Sequence, residues 1–527
     1  MKTERWIRPA VAVLFLSASV LVSQIKQESR TPSVNMLTVR TDLGKSTISK
    51  HIYGHFSEHL GHCIYGGYWV GEDSPIPNTR GIRKDVVKAL KELNIPNLRW
   101  PGGCFADEYH WKDGIGPKSN RPSMINTHWG GVTENNHFGT HEFMDLCEQL
   151  ECEPYITANV GSGTVYEMAQ WVEYITSDAI SPMTELRKQN GREKPWKVKF
   201  WGIGNENWGC GGNMTPDYYA DVMRQFSTFC RNFGDNRLTK IACGPNSENY
   251  NWMDVLMKEP VNRRMMQALS LHYYTVCHDW RKKGSATQFD ESEWFLTMKK
   301  TRKMEEMIQK HSAIMDKYDP EKRIGLMVDE WGNWHDVEPG TNPGFLYQQN
   351  TLRDALVAAV NLDIFNNHCD RVRMANIAQT INVLQAMILT KDKDIVLTPS
   401  YYVFRMYKVH HDATLLPTEL LSEWYVSGND TVAAVGCSAS RDAQGIIHLS
   451  MTNVNSKKAV DVLCTFQGLT ALQDVSGEAL SAEKINDCND FAKAETVHPK
   501  TFQDFKKKGN TLTVRLPAKS VAVLAVK

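Results

Sequence analysis

From about residue 52 to 390 the chain repeats one unit: a short apolar run, a turn, then a stretch with apolar residues at helical spacing. That serial alternation predicts βα units around a parallel sheet. Residues 95–100 read as a strand stopped by Pro101-Gly102-Gly103. Just before them, Val86, Leu90 and Leu93 share one helical face, with Lys88, Lys91 and Glu92 off it. Further strands are expected at 153–160, 197–204, 238–243, 268–274, 323–329 and 372–377. Thr215-Pro216 reads as an N-cap with proline at the first helical position. Tyr219, Val222, Met223, Phe226, Cys230 and Phe233 line the apolar face of the helix that follows.

So many units in series fit an α/β fold of the (β/α)8 TIM-barrel type better than an open sheet. No Gly-x-Gly-x-x-Gly follows the first strand, which weakens a dinucleotide-binding alternative. In such barrels the active site lies at the C-terminal ends of the strands. Glu206, Glu330, Gly102-Gly103-Cys104, Tyr273-Tyr274 and the segment from Asn376 to Gln379 all fall there. After Ser400 the rhythm changes to short strands, several alternating polar and apolar residues, as in Thr511–Leu516. This predicts a jelly-roll-like all-β sandwich. The strand-like stretch 36–40 has no barrel partner and is expected to pair with the sandwich. The division is therefore 1–25 as a signal peptide, 26–50 as an N-terminal strand segment, 51–395 as the catalytic barrel and 396–527 as the sandwich.

Lys2, Arg5 and Arg8 precede an apolar stretch from 10 to 22 that ends among small residues. It is too short to span a bilayer comfortably, so export to the periplasm or medium is expected, without stable membrane insertion. Lys+Arg and Asp+Glu both number 60 in the 527 residues. A chain-wide basic field for nucleic acid is thus excluded. The 12 cysteines are scattered and often sit in apolar runs, as at Cys147, Cys230, Cys243 and Cys464. Buried free thiols are the expectation for most. There is no CxxC pair.

Two runs share one layout. Phe200-Trp201-Gly202-Ile203-Gly204-Asn205-Glu206-Asn207-Trp208 and Gly325-Leu326-Met327-Val328-Asp329-Glu330-Trp331 are each apolar, then acidic, then aromatic. Glycoside hydrolysis needs one carboxyl group to protonate the leaving oxygen and a second to act on the anomeric carbon or on water. Two such glutamates at strand ends match that need, with their roles interchangeable at this level. Either could instead be a structural ion pair. Strand alternation turns neighbouring side chains opposite ways, so only one of Asp329 and Glu330 is expected to face the barrel axis. Glu58 is a candidate acceptor for sugar hydroxyls, or half of a buried ion pair. His55, His59 and His62 share a helical spacing, but adjacent glycines and the missing His-Glu-x-x-His motif argue against a metal site. No metal or cofactor is expected. Cys104 has no identifiable base beside it and reads as a small side chain lining a pocket. Trp100, Trp201, Trp208, Trp331 and Trp334 are candidate stacking surfaces, with core packing the default for the first two.

The chain resembles the α-L-arabinofuranosidases of glycoside hydrolase family 51. The resemblance rests on Ile52-Tyr53-Gly54-His55-Phe56-Ser57-Glu58-His59-Leu60-Gly61, Arg99-Trp100-Pro101-Gly102-Gly103-Cys104-Phe105, Gly204-Asn205-Glu206-Asn207, Asp329-Glu330-Trp331 and Ala375-Asn376-Ile377-Ala378-Gln379-Thr380-Ile381-Asn382. It implies retaining, exo-acting hydrolysis of arabinose-containing oligo- or polysaccharides such as arabinan and arabinoxylan. By the resemblance Glu206 is the acid/base and Glu330 the nucleophile. Asn205 would bind the sugar 2-hydroxyl, Glu58, Cys104 and Gln379 would hold the furanose ring, and Tyr274 would touch the nucleophile. Many relatives carry Asn where this chain has Cys104, and Cys is a weaker hydrogen-bonding group. A homo-oligomer, often a hexamer, is also implied. The alternatives are another retaining glycosidase of the same clan, such as an endoglucanase or β-xylosidase, or a non-catalytic carbohydrate-binding barrel.

Overall fold

A computed structural model describes residues 35–44 and 46–527. Eight parallel strands close into a barrel: Gly54–Phe56, Asn97–Trp100, Glu153–Ala158, Phe200–Ile203, Thr239–Ala242, Ala268–Thr275, Gly325–Asn333 and Val372–Ile377. The eighth strand pairs with the first through Asn376 opposite Gly54 and Ile377 opposite His55, which closes the ring. The strands are buried almost throughout, as parallel strands covered on both faces must be. Tyr155, Phe200, Ile241, Ala268, Met327 and Met374, one from each of six strands, fill part of the barrel interior.

The outer helices form where the sequence places caps and apolar faces. Thr215 Oγ1 accepts from the Tyr218 N–H and starts the helix Pro216–Phe229. That helix buries Tyr219, Met223 and Phe226, as expected; Val222 is only half-buried, and Cys230 is already the C-cap. The helix Leu352–Asn367 is buried along nearly its whole length because it lies between barrel and sandwich. Ser438 and Ser450 of the sandwich donate to Asp363 of this helix.

A further helix, Pro399–Tyr407, follows the eighth strand, and the first sandwich strand after it is Thr414–Leu416. The boundary expected at residue 396 thus precedes the last barrel helix, and the change of rhythm expected after Ser400 falls inside it. Short polar residues around the Thr398 cap hide that helix from a reading by composition.

The sandwich has a five-stranded and a six-stranded sheet. The strand Asn35–Arg40 lies in the five-stranded sheet, antiparallel to Thr418–Leu421 and parallel to Val460–Gln467. The expected signal peptide lies outside the described residues. Among those described, no helix is long and apolar enough to cross a membrane.

Candidate active site

Glu206 sits just past the fourth barrel strand, on a tightly pinned loop. Its carbonyl accepts from the N–H groups of Gly209 and Gly211, and Asn207 Nδ2 donates to the Gly211 carbonyl. Glu206 itself is at φ +42°, a left-handed conformation that non-glycine residues adopt at a cost. Gly204 before it is at φ +85°, and a Cβ there would lie 2.2 Å from the Asn207 amide oxygen. The bend turns the Glu206 carboxylate toward the barrel mouth.

Glu330 lies within the seventh strand, which runs on to Asn333 rather than stopping at Asp329. Its register slips against both neighbours, between Val328 and Trp331 on one side and between Ser270 and His272 on the other. Such irregularity breaks the two-residue alternation. The expectation that only one of Asp329 and Glu330 faces inward is therefore corrected: both meet the same two cations. Arg99 Nη1 donates to Glu330 Oε2 at 3.0 Å, and Arg99 Nε lies 3.7 Å from Asp329 Oδ2. His272 Nε2 is 3.2 Å from Asp329 Oδ1, while its Nδ1 is 2.8 Å from Glu206 Oε1 and 3.5 Å from Glu330 Oε2. One carboxylate oxygen each from Glu206 and Glu330, with a ring nitrogen of His272, lie within 4.8 Å of one another.

The surrounding groups hold these carboxylates in place. Tyr274 donates its hydroxyl to Glu330 Oε1 at 2.8 Å. Tyr155 donates to Asp329 Oδ2 at 2.6 Å. Asn205 Oδ1 accepts from Arg99 Nη2. Glu58, buried after the first strand, accepts from the Phe105 N–H, from Trp129 Nε1 and from Gln379 Nε2 at 2.9–3.0 Å. Gly103 makes room for it, since a Cβ there would come within 2.4 Å of its carboxylate. The oxygen of the Gln379 amide is buried with no partner.

The electrostatics divide the acids. Burial, then the Glu330 charge, raises the Glu206 carboxyl above the ordinary glutamate range. Burial and Glu330 push Glu58 up to about 7. Burial also opposes charge on Asp329, but Arg99 and His272 outweigh it and hold that carboxyl low. His272 loses solvation as well, yet Glu330, Asp329 and Glu206 together push it up to about 10. The site thus sets a carboxyl held low, Asp329, beside one that is raised, Glu206, with Arg99 and His272 between them.

Glu58, Cys104, Glu206, Tyr274, Glu330 and Gln379 all line one cavity of about 220 Å³, and Asn205 lies beneath it through Arg99. Cys104 is not the thiol expected. It is disulfide-bonded to Cys210, so the second-strand loop is stapled to the Glu206 loop. Its sulfur has no hydrogen to donate, and Sγ of Cys210 and Cys104 stand 3.6 and 4.0 Å from Glu206 Oε2 as contacts only. Cys147, Cys230, Cys243 and Cys464 are buried free thiols.

Of the candidate stacking tryptophans, Trp208 and Trp334 line the cavity. Trp100, Trp201 and Trp331 are fully buried. Trp331 packs edge-on against Phe365 instead of facing a ligand. The three histidines do not converge: His59 bonds Glu134 and Trp100, and His62 meets Phe345. Arg99, His272, Trp129 and Trp280 were given no role in the sequence reading. An arginine inside the apolar run 98–100 and a histidine inside 269–274 are signals for the first two, because a buried charge needs partners. The tryptophans come from loops and carry no such signal. A larger cleft, about 720 Å³, lies at the opposite end of the barrel around Lys91, Glu151 and Trp196, and none of these groups lines it.

Known proteins share this arrangement of domains. The model of the α-L-arabinofuranosidase 1 domain matches residues 89–293, and that of the α-L-arabinofuranosidase C-terminal domain matches residues 329–520. A Bacteroides ovatus protein named intracellular exo-α-L-arabinofuranosidase is 56% identical over 515 residues, 98% of each chain. The solved GH51 arabinofuranosidase of Xanthomonas axonopodis pv. citri has a TM-score of 0.92 at 50% identity, covering 94% of this chain and 100% of its own. The chain belongs to the family 51 α-L-arabinofuranosidases. It is therefore a glycoside hydrolase, and the endoglucanase, β-xylosidase and non-catalytic alternatives are set aside. The Thermotoga maritima α-L-arabinofuranosidase, solved as an arabinose complex, is more distant: TM-score 0.81, 29% identity, 93% of this chain and 99% of its own. One expectation is overturned. The Bacteroides ovatus relative, matched over nearly its whole length, is named intracellular, which contradicts export read from the N-terminal residues. Charge followed by a short apolar run is a pattern that a few residues satisfy without being a signal.

Proposed function

We propose that this family 51 enzyme releases terminal arabinofuranose from plant polysaccharides such as arabinan and arabinoxylan by a retaining double displacement. Glu330 attacks the anomeric carbon while protonated Glu206 gives its proton to the leaving oxygen. A water then enters, Glu206 takes its proton, and the ester to Glu330 breaks to free arabinose. Glu58 and Gln379 hold ring hydroxyls, Asn205 meets the 2-hydroxyl, and Tyr274 keeps the nucleophile aligned. The Cys104–Cys210 disulfide lines the ring's edge.

The observation that carries this reading is the closeness of the two carboxylates, with an oxygen of each inside the 4.8 Å group they form with His272. Retaining enzymes keep their carboxyl groups roughly 5–5.5 Å apart, whereas inverting ones leave about 6.5–9.5 Å for a water. The raised Glu206 carboxyl supports the same division of labour. Proton NMR of the first product from an aryl α-L-arabinofuranoside tests it. The α-anomer should appear first, and initial release of the β-anomer would rule the mechanism out. Product analysis on arabinan, arabinoxylan and arabinogalactan tests the substrate class. A homo-oligomer, and specifically a hexamer, belongs to the same reading, and sedimentation velocity decides it: a single monomer peak removes it.

A further inference from the structure

Among the described residues, three groups of His, Cys and Glu side chains bring one ligand atom each to within 4.8 Å of the others. Two belong to the site already described. Cys104 and Cys210 are bonded to each other beside Glu206, and His272 is held as a cation between Glu206 and Glu330. The third group is Cys277, His278 and Glu293, and none of its members lines the catalytic cavity.

Cys277 and His278 follow the sixth barrel strand, and Glu293 lies in the first turn of the helix Glu291–Thr301. His278 Nε2 is 2.6 Å from Glu293 Oε1, and Cys277 Sγ is 3.6 Å from the Glu293 carbonyl oxygen. A histidine–glutamate pair near the surface is ordinary by itself. This pair has a buried sulfur beside it and a bare glycine against it. A Cβ on Gly284 would lie 3.3 Å from Glu293 Oε1, 3.6 Å from His278 Cδ2 and 3.7 Å from Cys277 Cβ, so all three side chains converge beside one residue that has none.

The backbone carrying them is held. Asp290 Oδ1 accepts from the N–H groups of Ser292 and Glu293 at 2.9 and 3.0 Å. Thr297 Oγ1 donates to the Glu293 carbonyl, and Lys300 Nζ to that of His278. The Asp336 carboxylate accepts from the N–H groups of Lys283 and Gly284 at 3.3 and 3.1 Å. Ligands on such a frame need little reordering to close on an ion.

We propose that Cys277, His278 and Glu293 bind a divalent cation of the zinc type, a structural ion that clips the turn 277–284 to the helix Glu291–Thr301. Thiolate, imidazole and carboxylate together suit zinc and its late first-row neighbours, whereas magnesium and calcium take oxygen ligands. Around a tetrahedral ion with bonds of about 2.0–2.3 Å, ligand atoms stand roughly 3.3–3.5 Å apart. The His278–Glu293 contact therefore opens by less than about 1 Å, and side chains 35% and 21% exposed have room for that. The same exposure leaves the fourth position to water. On binding, the Cys277 thiol gives its proton to solvent, and the thiolate and carboxylate balance the two charges of the ion. The expectation of no metal rested on motif spacing, and this site has none: its third ligand comes from a helix 15 positions beyond His278. The assignment is independent of the hydrolytic reading.

The test uses the full chain without a histidine tag, freed of metal by a chelator and titrated with cobalt(II) chloride. A cobalt–thiolate bond gives a charge-transfer band in the near ultraviolet. The unaltered protein should bind one cobalt with that band, and zinc should displace it. Cys277→Ser should lose the band. His278→Ala and Glu293→Gln should weaken cobalt binding by at least roughly 10- to 100-fold, the loss that even an outer-shell partner causes. Zinc should raise the Tm of the unaltered protein and leave that of Cys277→Ser in place. All three variants should keep the unaltered kcat/KM on an aryl arabinofuranoside, which also shows that they fold. Absence of the band in the unaltered protein overturns the assignment. So does a band that survives in Cys277→Ser, which puts the ion on another thiol, or cobalt that arabinose competes away, which puts it beside Glu206.

Discussion

His272 holds Glu206 by a 2.8 Å contact from Nδ1 to Oε1, and the same nitrogen stands only 3.5 Å from Glu330. One imidazolium thus bridges the two acids of the site, fixed from behind by Asp329. The carboxylates would otherwise repel each other across the cavity. The cation between them lets both sit close, and it makes the Glu206 carboxyl a stronger acid than it would be without it.

Replacing that cation should therefore move the pH profile. His272→Gln keeps a donor near Glu206 but removes the charge that favours its carboxylate, so the Glu206 carboxyl becomes a weaker acid. The limb of the kcat/KM profile set by Glu206 is expected to shift to higher pH, by roughly one unit. A profile that merely falls in height, with both limbs in place, would reduce His272 to packing.

Glu58 accepts three hydrogen bonds and faces only donors. In Glu58→Gln one oxygen becomes an NH2 that confronts another donor, a mismatch of about 1–3 kcal/mol. KM for an aryl arabinofuranoside is expected to rise roughly 10- to 100-fold, with a smaller change in kcat. Initial-rate kinetics decide this, and an unchanged KM would remove Glu58 from sugar binding.

The Cys104–Cys210 bridge joins residues separated by 106 positions. Removing both sulfurs in Cys104→Ala/Cys210→Ala frees the unfolded chain and should cost about 2–4 kcal/mol. It also loosens the loop that aims Glu206, so activity should fall before the fold is lost. Calorimetry and kinetics on the same variant check both halves. An unchanged melting temperature would contradict the first.

Asp363 offers a linkage test away from the site. Burial pushes its carboxyl up to about 7, while Ser438 and Ser450 donate to it. The folded state then binds this proton more tightly than the unfolded state. Stability from this group is present at low pH and is lost as pH rises toward 7. Asp363→Asn should flatten that slope, raising Tm at pH 8 relative to pH 5 by roughly 3–6 °C compared with the unaltered protein. Parallel Tm–pH curves would show that Asp363 is not held in its acid form.

The barrel was readable because it is built from local periodicity, and the acids at 206 and 330 because each follows an apolar run. What stayed hidden depends on contacts between distant residues. The Cys104–Cys210 pairing needs two loops brought together. The inward turn of both Asp329 and Glu330 needs a register slip against two neighbouring strands, and period-two alternation has no room for it. Trp129 and Trp280 come from loops, where position in space has no sequence period. The helix Pro399–Tyr407 is hidden by the short polar residues around its Thr398 cap. The family resemblance named the site's outline, and Arg99 and His272 stand out as charges inside apolar runs, but that they tie the two acids together shows only in the distances.

The central claim is that Glu330 attacks and Glu206 moves the proton. The most direct measurement is turnover of an activated aryl α-L-arabinofuranoside by Glu206→Ala and Glu330→Ala, with and without azide. Glu206→Ala should form the glycosyl-enzyme with this leaving group, stall, and be rescued by azide to give arabinosyl azide of retained configuration. Glu330→Ala should lose turnover, and any azide product should be inverted. Near-normal turnover by Glu330→Ala, or a retained azide product from it, would contradict the account.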